Sequence, residues 1–159
     1  MELELDIKVT PKAMYDYLLH HTYTSMSGLL GTIVGVFFIM AFLSTRYWIY
    51  LIAGLAIILY LPFNLWILAN KQVQNTPAFK NSLHYKFTNE GIEVSQGESK
   101  ESQSWENCYK AVSTNGSIII YTSKTTASIF PKTDLGERKY DLIKMISTNM
   151  DPKKVKIKQ

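Results

Sequence analysis

Two stretches without a single charged side chain decide what this 159-residue chain can become. Residues 22–45 hold no Asp, Glu, Lys or Arg, residues 47–70 hold none either, and Arg46 alone stands between them. Within them, 26–43 and 47–68 each approach the roughly 20 apolar residues needed to cross a hydrocarbon core about 30 Å thick. A soluble helix of that length shows a polar face, and neither segment has one. Helices satisfy their own backbone in lipid, so the pattern predicts two transmembrane helices. Ser44-Thr45-Arg46 is too short to join anything but antiparallel neighbours. The chain's near-zero mean hydropathy averages a very apolar third with a polar remainder.

Lysines set the expected orientation. Lys8, Lys12, Lys71 and Lys80 flank the hairpin on its terminal side, against Arg46 in the loop, which predicts a multi-pass protein of the cell membrane with both termini cytoplasmic. Tyr47, Trp48 and Tyr50 mark one interface, and Tyr60, Phe63 and Trp66 the other. Gly28, Gly31 and Gly35 share roughly one face of the first helix, with a GxxxG spacing that permits close approach. Two readings of that face stand: packing within the hairpin against Ala53, Gly54 and Ala56, or a homodimer interface. Pro62 and Asn64 predict a kink towards the cytoplasmic end of the second helix.

Leu3, Leu5, Ile7 and Val9 alternate with Glu2, Glu4, Asp6 and Lys8, the period of a half-buried strand. Thr10-Pro11 then reads as N-cap and first position of a short amphipathic helix carrying Ala13, Met14, Tyr17 and Leu18. This acidic, alternating start lacks a signal peptide's basic region, so 1–25 is expected to be retained as strand and helix. Residues 69–82 read as a linker. From Leu83 short strands recur at 83–88, 92–96, 100–105, 109–114, 118–121 and 127–130, with Asn115-Gly116 as a strong hairpin signal. Thr133 or Asp134 is expected to cap a helix with Leu135, Leu142, Ile143, Ile146 and Met150 on its apolar side, completing a domain over 83–150. A solitary strand is not stable in water, so residues 3–9 are expected to pair with this domain's sheet across the hairpin. Seven strands and a closing helix are the inventory of a pleckstrin-homology-like (PH-like) fold. The expected class is therefore membrane α+β, a transmembrane hairpin with a PH-like antiparallel β domain capped by a C-terminal helix.

Charge separates the possible partners. Residues 71–159 carry fourteen Lys/Arg against nine acids, a net of about +5 that is too dispersed for a nucleic-acid stripe. It suits a domain held beside an anionic leaflet, and Lys153, Lys154, Lys156 and Lys158 form a basic tail at 151–159 that faces either lipid or solvent.

Candidate chemistry is thin. One cysteine, Cys108, excludes an internal disulfide and any multi-cysteine metal site. His20-His21 are adjacent, so they do not share a helix face, and no carboxylate pattern joins them. Cys108 with His84 as base is the one nucleophile pair that can be drawn, and nothing in the spacing requires it. Glu98 falls in the turn and Glu101 just beyond it, while Asp134/Glu137 suit a helix N-terminus through its dipole. Trp105 is expected to anchor the sheet. No catalytic residue, cofactor or metal is expected.

Tyr85-Lys86-Phe87-Thr88-Asn89-Glu90-Gly91-Ile92, Trp105-Glu106-Asn107 with Lys110, Ile120-Tyr121 and Phe130-Pro131-Lys132 resemble the YcxB-like family of small bacterial membrane proteins. The resemblance is closest over 83–135 and implies two helices followed by a β-rich C-terminal domain; Cys108 departs from an expected aliphatic residue. It implies no reaction. The expected function is a non-enzymatic adaptor that presents its cytoplasmic domain to a membrane or cytoplasmic protein or peptide. The alternatives are an immunity or envelope-stress protein against a membrane-active peptide, and an anionic-lipid headgroup binding module.

Overall fold

The computed structural model describes residues 2–157. The chain opens with β1 (Leu3–Ile7), whose alternating burial follows the sequence alternation residue by residue. Thr10 caps α1 (Pro11–Tyr23), its hydroxyl accepting from the Ala13 N–H at 3.2 Å. The apolar segments form α2 (Met26–Thr45) and α3 (Trp48–Asn75). Both are long and apolar enough to cross a membrane, and only 11% of each apolar window is buried within the chain. A core helix of a soluble protein would be mostly covered; here Phe37, Ile49, Ile52 and Leu59 are exposed. The turn between the helices is closed by Arg46 in the left-handed region, φ 62°, with its N–H on the Phe42 carbonyl.

α3 is one helix with Pro62 inside it, and it exceeds the expected span by continuing seven residues past Leu68 to Asn75. The expected linker at 69–82 is thus half helix. Ala69 and Val73 extend the helical stripe that packs on α1, so tertiary burial carries the helix beyond the apolar segment. A single 3-10 turn at Pro77–Phe79 follows.

The remaining chain makes two four-stranded sheets. The first has the order β1-β2-β3-β4, with β2 (Leu83–Phe87), β3 (Gly91–Gln96) and β4 (Ser99–Ser104), all antiparallel. β1 pairs with β2 in the register Leu5↔Tyr85, so residues on either side of the hairpin share one ladder. Gly97, at φ 59°, fills the first position of the two-residue β3–β4 loop, where a type II′ turn requires a positive φ. Gly91 lies so close to β4 that a Cβ there would sit 2.3 Å from the Gln103 carbonyl oxygen.

The second sheet has the order β7-β6-β5-β8, with β5 (Lys110–Ser113), β6 (Ser117–Tyr121), β7 (Ala127–Pro131) and β8 (Val155–Lys156). β6 is buried at every position. Ile118 and Ile120 point into the core formed with the first sheet, while Ile119 and Tyr121 point the other way, onto α1 and the end of α3. A strand covered on both faces reads as a continuous apolar run, as Ile118-Ile119-Ile120-Tyr121 does. The second sheet is therefore the middle layer, with the helices of the N-terminal half on one side and the first sheet on the other.

Two expectations at the C-terminus are corrected. The single closing helix is divided into α4 (Lys132–Leu135) and α5 (Arg138–Asn149), because Gly136 takes φ 53°, ψ −128°, a conformation outside the helical region that glycine adopts without a side-chain clash. Neither Thr133 nor Asp134 is the cap; both lie inside α4. The basic tail is also not a free one. Asp151 caps a 3-10 turn at Pro152–Lys154, and Val155 and Ile157 pack on the core as β8 pairs in parallel with β5.

Candidate functional surfaces

The glycine face of the hairpin divides into contacts and open space. A Cβ on Gly35 would sit 2.5 Å from Ile58, and one on Gly54 would sit 2.9 Å from the Gly35 carbonyl oxygen. These two glycines form the close crossing of α2 and α3. Gly28 instead faces the Thr22 carbonyl at the α1–α2 corner, and Gly31 has nothing within 4 Å. The expected stripe of three is thus one helix contact, one corner contact and one open position.

α1 ties the helices to the β domain. Tyr17 donates its hydroxyl to the Thr125 carbonyl at 3.1 Å, and its ring stacks on His21, which in turn stacks on Tyr121. Burial pushes the Tyr17 phenol up, and it carries the Tyr121 phenol, with help from Tyr17, to about 12. The Tyr121 hydroxyl is buried without a hydrogen-bond partner among the described residues. Burial, followed by the charge of Lys110, pushes the His20 imidazole down, with Asp16 acting in the opposite direction. Asp16 accepts from the Thr114 hydroxyl, and Thr114 organises the β5–β6 turn by accepting the Ser117 N–H at 3.0 Å. The Asn115-Gly116 hairpin forms where expected, but neither residue has a positive φ, so it is not the type I′ turn that this pair favours.

The two groups of the drawable nucleophile pair are each engaged elsewhere. His84 Nδ1 lies 2.8 Å from Asp6 Oδ1, a cross-strand contact between β2 and β1 that no local spacing reveals. Cys108 is fully buried with Sγ 3.5 Å from the Ser104 carbonyl, and burial raises its thiol against the opposing influence of Lys154. Trp105 is a core residue as expected. It packs beside Phe87 and donates from Nε1 to the Thr88 carbonyl at 2.8 Å. No cluster of three or more His, Cys, Asp or Glu with metal-binding geometry occurs among the described residues.

Of the four tail lysines, Lys154 turns inward and donates to the Glu106 and Cys108 carbonyls at 2.8 and 3.0 Å. Lys153 and Lys156 are exposed, and Lys158 lies outside the described residues. The other exposed feature is β4. It pairs with β3 on one side and with no described strand on the other, and five of its six residues face solvent.

Residues 87–146, from the end of β2 into α5, match the family model of YcxB-like proteins. The resemblance read from the sequence is borne out over that segment. No curated protein and no solved structure matches the chain.

Proposed function

We propose, for a chain with a YcxB-like segment at 87–146 and two long apolar helices, that it is a non-catalytic interaction module anchored in a membrane. In this reading α2 and α3 span the bilayer, and both termini lie on the cytoplasmic side with Lys8, Lys12, Lys71 and Lys80. The two sheets and closing helix form a PH-like domain held at the inner face, which receives an extended segment of a membrane or cytoplasmic protein.

The observation that carries the reading is the open edge of β4. Counted from the Gly97-Glu98 loop, antiparallel alternation turns the Lys100 and Ser102 N–H groups away from β3, where an added strand would take them. Lys100 is held across the ladder by Glu93 at 2.7 Å, so the edge is charged, which discourages indiscriminate pairing and favours a selected partner. The support against catalysis is that Cys108 is buried and His84 is committed to Asp6.

The test is a photo-crosslinking side chain at Lys100 of the full chain in native membranes. A discrete adduct that disappears when Ser102→Pro removes an outward N–H supports strand addition. An adduct insensitive to that change, or none, refutes it. A reporter enzyme active only in the cytoplasm, fused after Gln159, tests the topology; inactivity there with activity of an exported reporter overturns it.

A further inference from the structure

A cleft of about 640 Å³ opens between the outer side of α5 and the end of the second sheet. Its walls carry three lysines, Lys132, Lys139 and Lys144, and four hydroxyl-bearing side chains, Ser113, Tyr140, Ser147 and Thr148. None of its lining residues is acidic. On α5 the positions 139/140, 143/144 and 147/148 form one stripe, opposite the core stripe of Leu142, Met145 and Ile146. The stripe runs for roughly 14 Å, at about 1.5 Å per residue.

Among the described residues no carboxylate lies within 4 Å of these three ammonium groups, although Asp16 holds the Thr114 hydroxyl beside Lys132. The ion pairs of the described residues join Asp6 to His84, Glu2 and Glu4 to Lys86, and Glu93 to Lys100, and none reaches the cleft. Lys132 commits one N–H to the Thr114 carbonyl and keeps two. The Lys139 ammonium lies over the Tyr140 ring at 4.6 Å, a contact that orients the charge without cancelling it. Three like charges gathered around one concavity repel one another, and a bound anion relieves that repulsion.

We propose that this cleft is a binding site for a phosphate-bearing anion. The lysines act as point charges on phosphate oxygens, and the Ser147 and Thr148 hydroxyls donate to the oxygens that remain, while the Ser113 hydroxyl donates to the Thr114 carbonyl at 3.4 Å and would have to turn from it to join them. Its span suits more than one phosphate group. The site is separate from the β4 edge and does not depend on strand addition there.

The test uses the full chain in phosphatidylcholine nanodiscs, titrated with inorganic pyrophosphate by calorimetry. Saturable binding is expected. Lys139→Gln with Lys144→Gln should weaken it about tenfold or more, since a hydrogen bond to a charged group carries one to two decades of affinity. Lys139→Arg with Lys144→Arg should retain it, and Lys124→Gln with Lys153→Gln, which lie outside the cleft, should change it little. Hydrogen exchange in β5–β7 establishes that each variant is folded, and Lys144→Gln alone, on the exposed side of α5, serves if the double variant is not. Repeating the titration with phosphatidylglycerol in the nanodisc distinguishes the sources. Loss of the pyrophosphate signal assigns the cleft to lipid phosphates, and an unchanged signal assigns it to a soluble phosphate compound. Absence of saturable binding, or equal weakening by the control substitutions, overturns the proposal.

Discussion

Leu5→Ala is the perturbation that most directly probes the split domain. Leu5 is 1% exposed, sits in the core with Tyr85, Phe87 and Phe130, and faces Tyr85 across the β1–β2 ladder. Truncating such a leucine removes its transfer free energy and leaves a cavity, a loss of about 2–5 kcal/mol. Against a domain stability of about 5–15 kcal/mol, that is a large fraction. Amides that exchange only through global opening should then exchange roughly 30-fold to several thousand-fold faster, at about 1.4 kcal/mol per decade. The assay is hydrogen–deuterium exchange of the full chain in nanodiscs, read on peptides from β5, β6 and α5. None of these is adjacent to residue 5 in sequence. Glu4→Ala is the control. It is exposed on the same strand, its carboxylate is 3.7 Å from Lys86, and it should change stability by about 1 kcal/mol or less. If Leu5→Ala frees only the β1 amides and leaves β5, β6 and α5 as protected as before, the domain is complete without its first strand, and the packing argument fails.

Three further outcomes follow from local geometry. Gly54→Ala should lower the thermal midpoint in detergent, because the added Cβ meets the Gly35 carbonyl at 2.9 Å, whereas Gly31→Ala enters open space and should raise stability by about 0.4–1 kcal/mol. Equal effects would mean that the helices do not cross at Gly35 and Gly54. The His20 imidazole is depressed by burial and by Lys110, so its contribution to stability is present above the ordinary value of 6.5 and is lost as pH falls through the lower folded value. Thermal unfolding measured over that range should show a loss towards acid that His20→Gln diminishes; an identical pH profile in the variant would refute it. Finally, the buried, raised Cys108 thiol should resist alkylation near neutral pH in the folded chain and react readily in denaturant. Rapid labelling of the native protein would contradict its place in the core.

What the sequence made legible were features whose signal is local. The alternation of Leu3, Leu5 and Ile7, the Thr10-Pro11 start and the uncharged runs around Arg46 each depend on neighbours within a few residues, and each corresponds to an element of the fold. The end of α3 was obscured because Lys71 and Gln72 mark the end of an apolar run and not of a helix; Ala69 and Val73 continue it by packing on α1. β8 was hidden because Val155 and Ile157 alternate among lysines, where charge outweighs two apolar residues by eye. The division of the closing helix at Gly136 went unread, because Leu135 and Leu142 keep one helical apolar period across it. The Asp6–His84 and Asp16–Thr114 contacts and the lysine cleft are long-range juxtapositions that a spacing along the chain does not encode. Lys132, Lys139 and Lys144 were visible individually, and only the placement of α5 over the end of the second sheet makes them a group.

The pairing of β1 with β2 also imposes an order of assembly. A ribosome makes β1 first, yet its partner emerges only after roughly 75 further residues, about 4–15 s at ordinary elongation rates. All of α1, α2 and α3 is synthesised in that interval. Until it ends, Leu3, Leu5 and Ile7 have no ladder to join and remain open to chaperones or to wrong partners. When Leu83–Phe87 arrives, the pairing closes a loop that contains both apolar helices. A hairpin that had left its two ends on opposite sides of a bilayer would keep β1 and β2 apart. If α2 and α3 span a bilayer as proposed, the completed sheet reports that both ends of the hairpin reached the same side, and a chain that failed to do so would leave β1 without its partner.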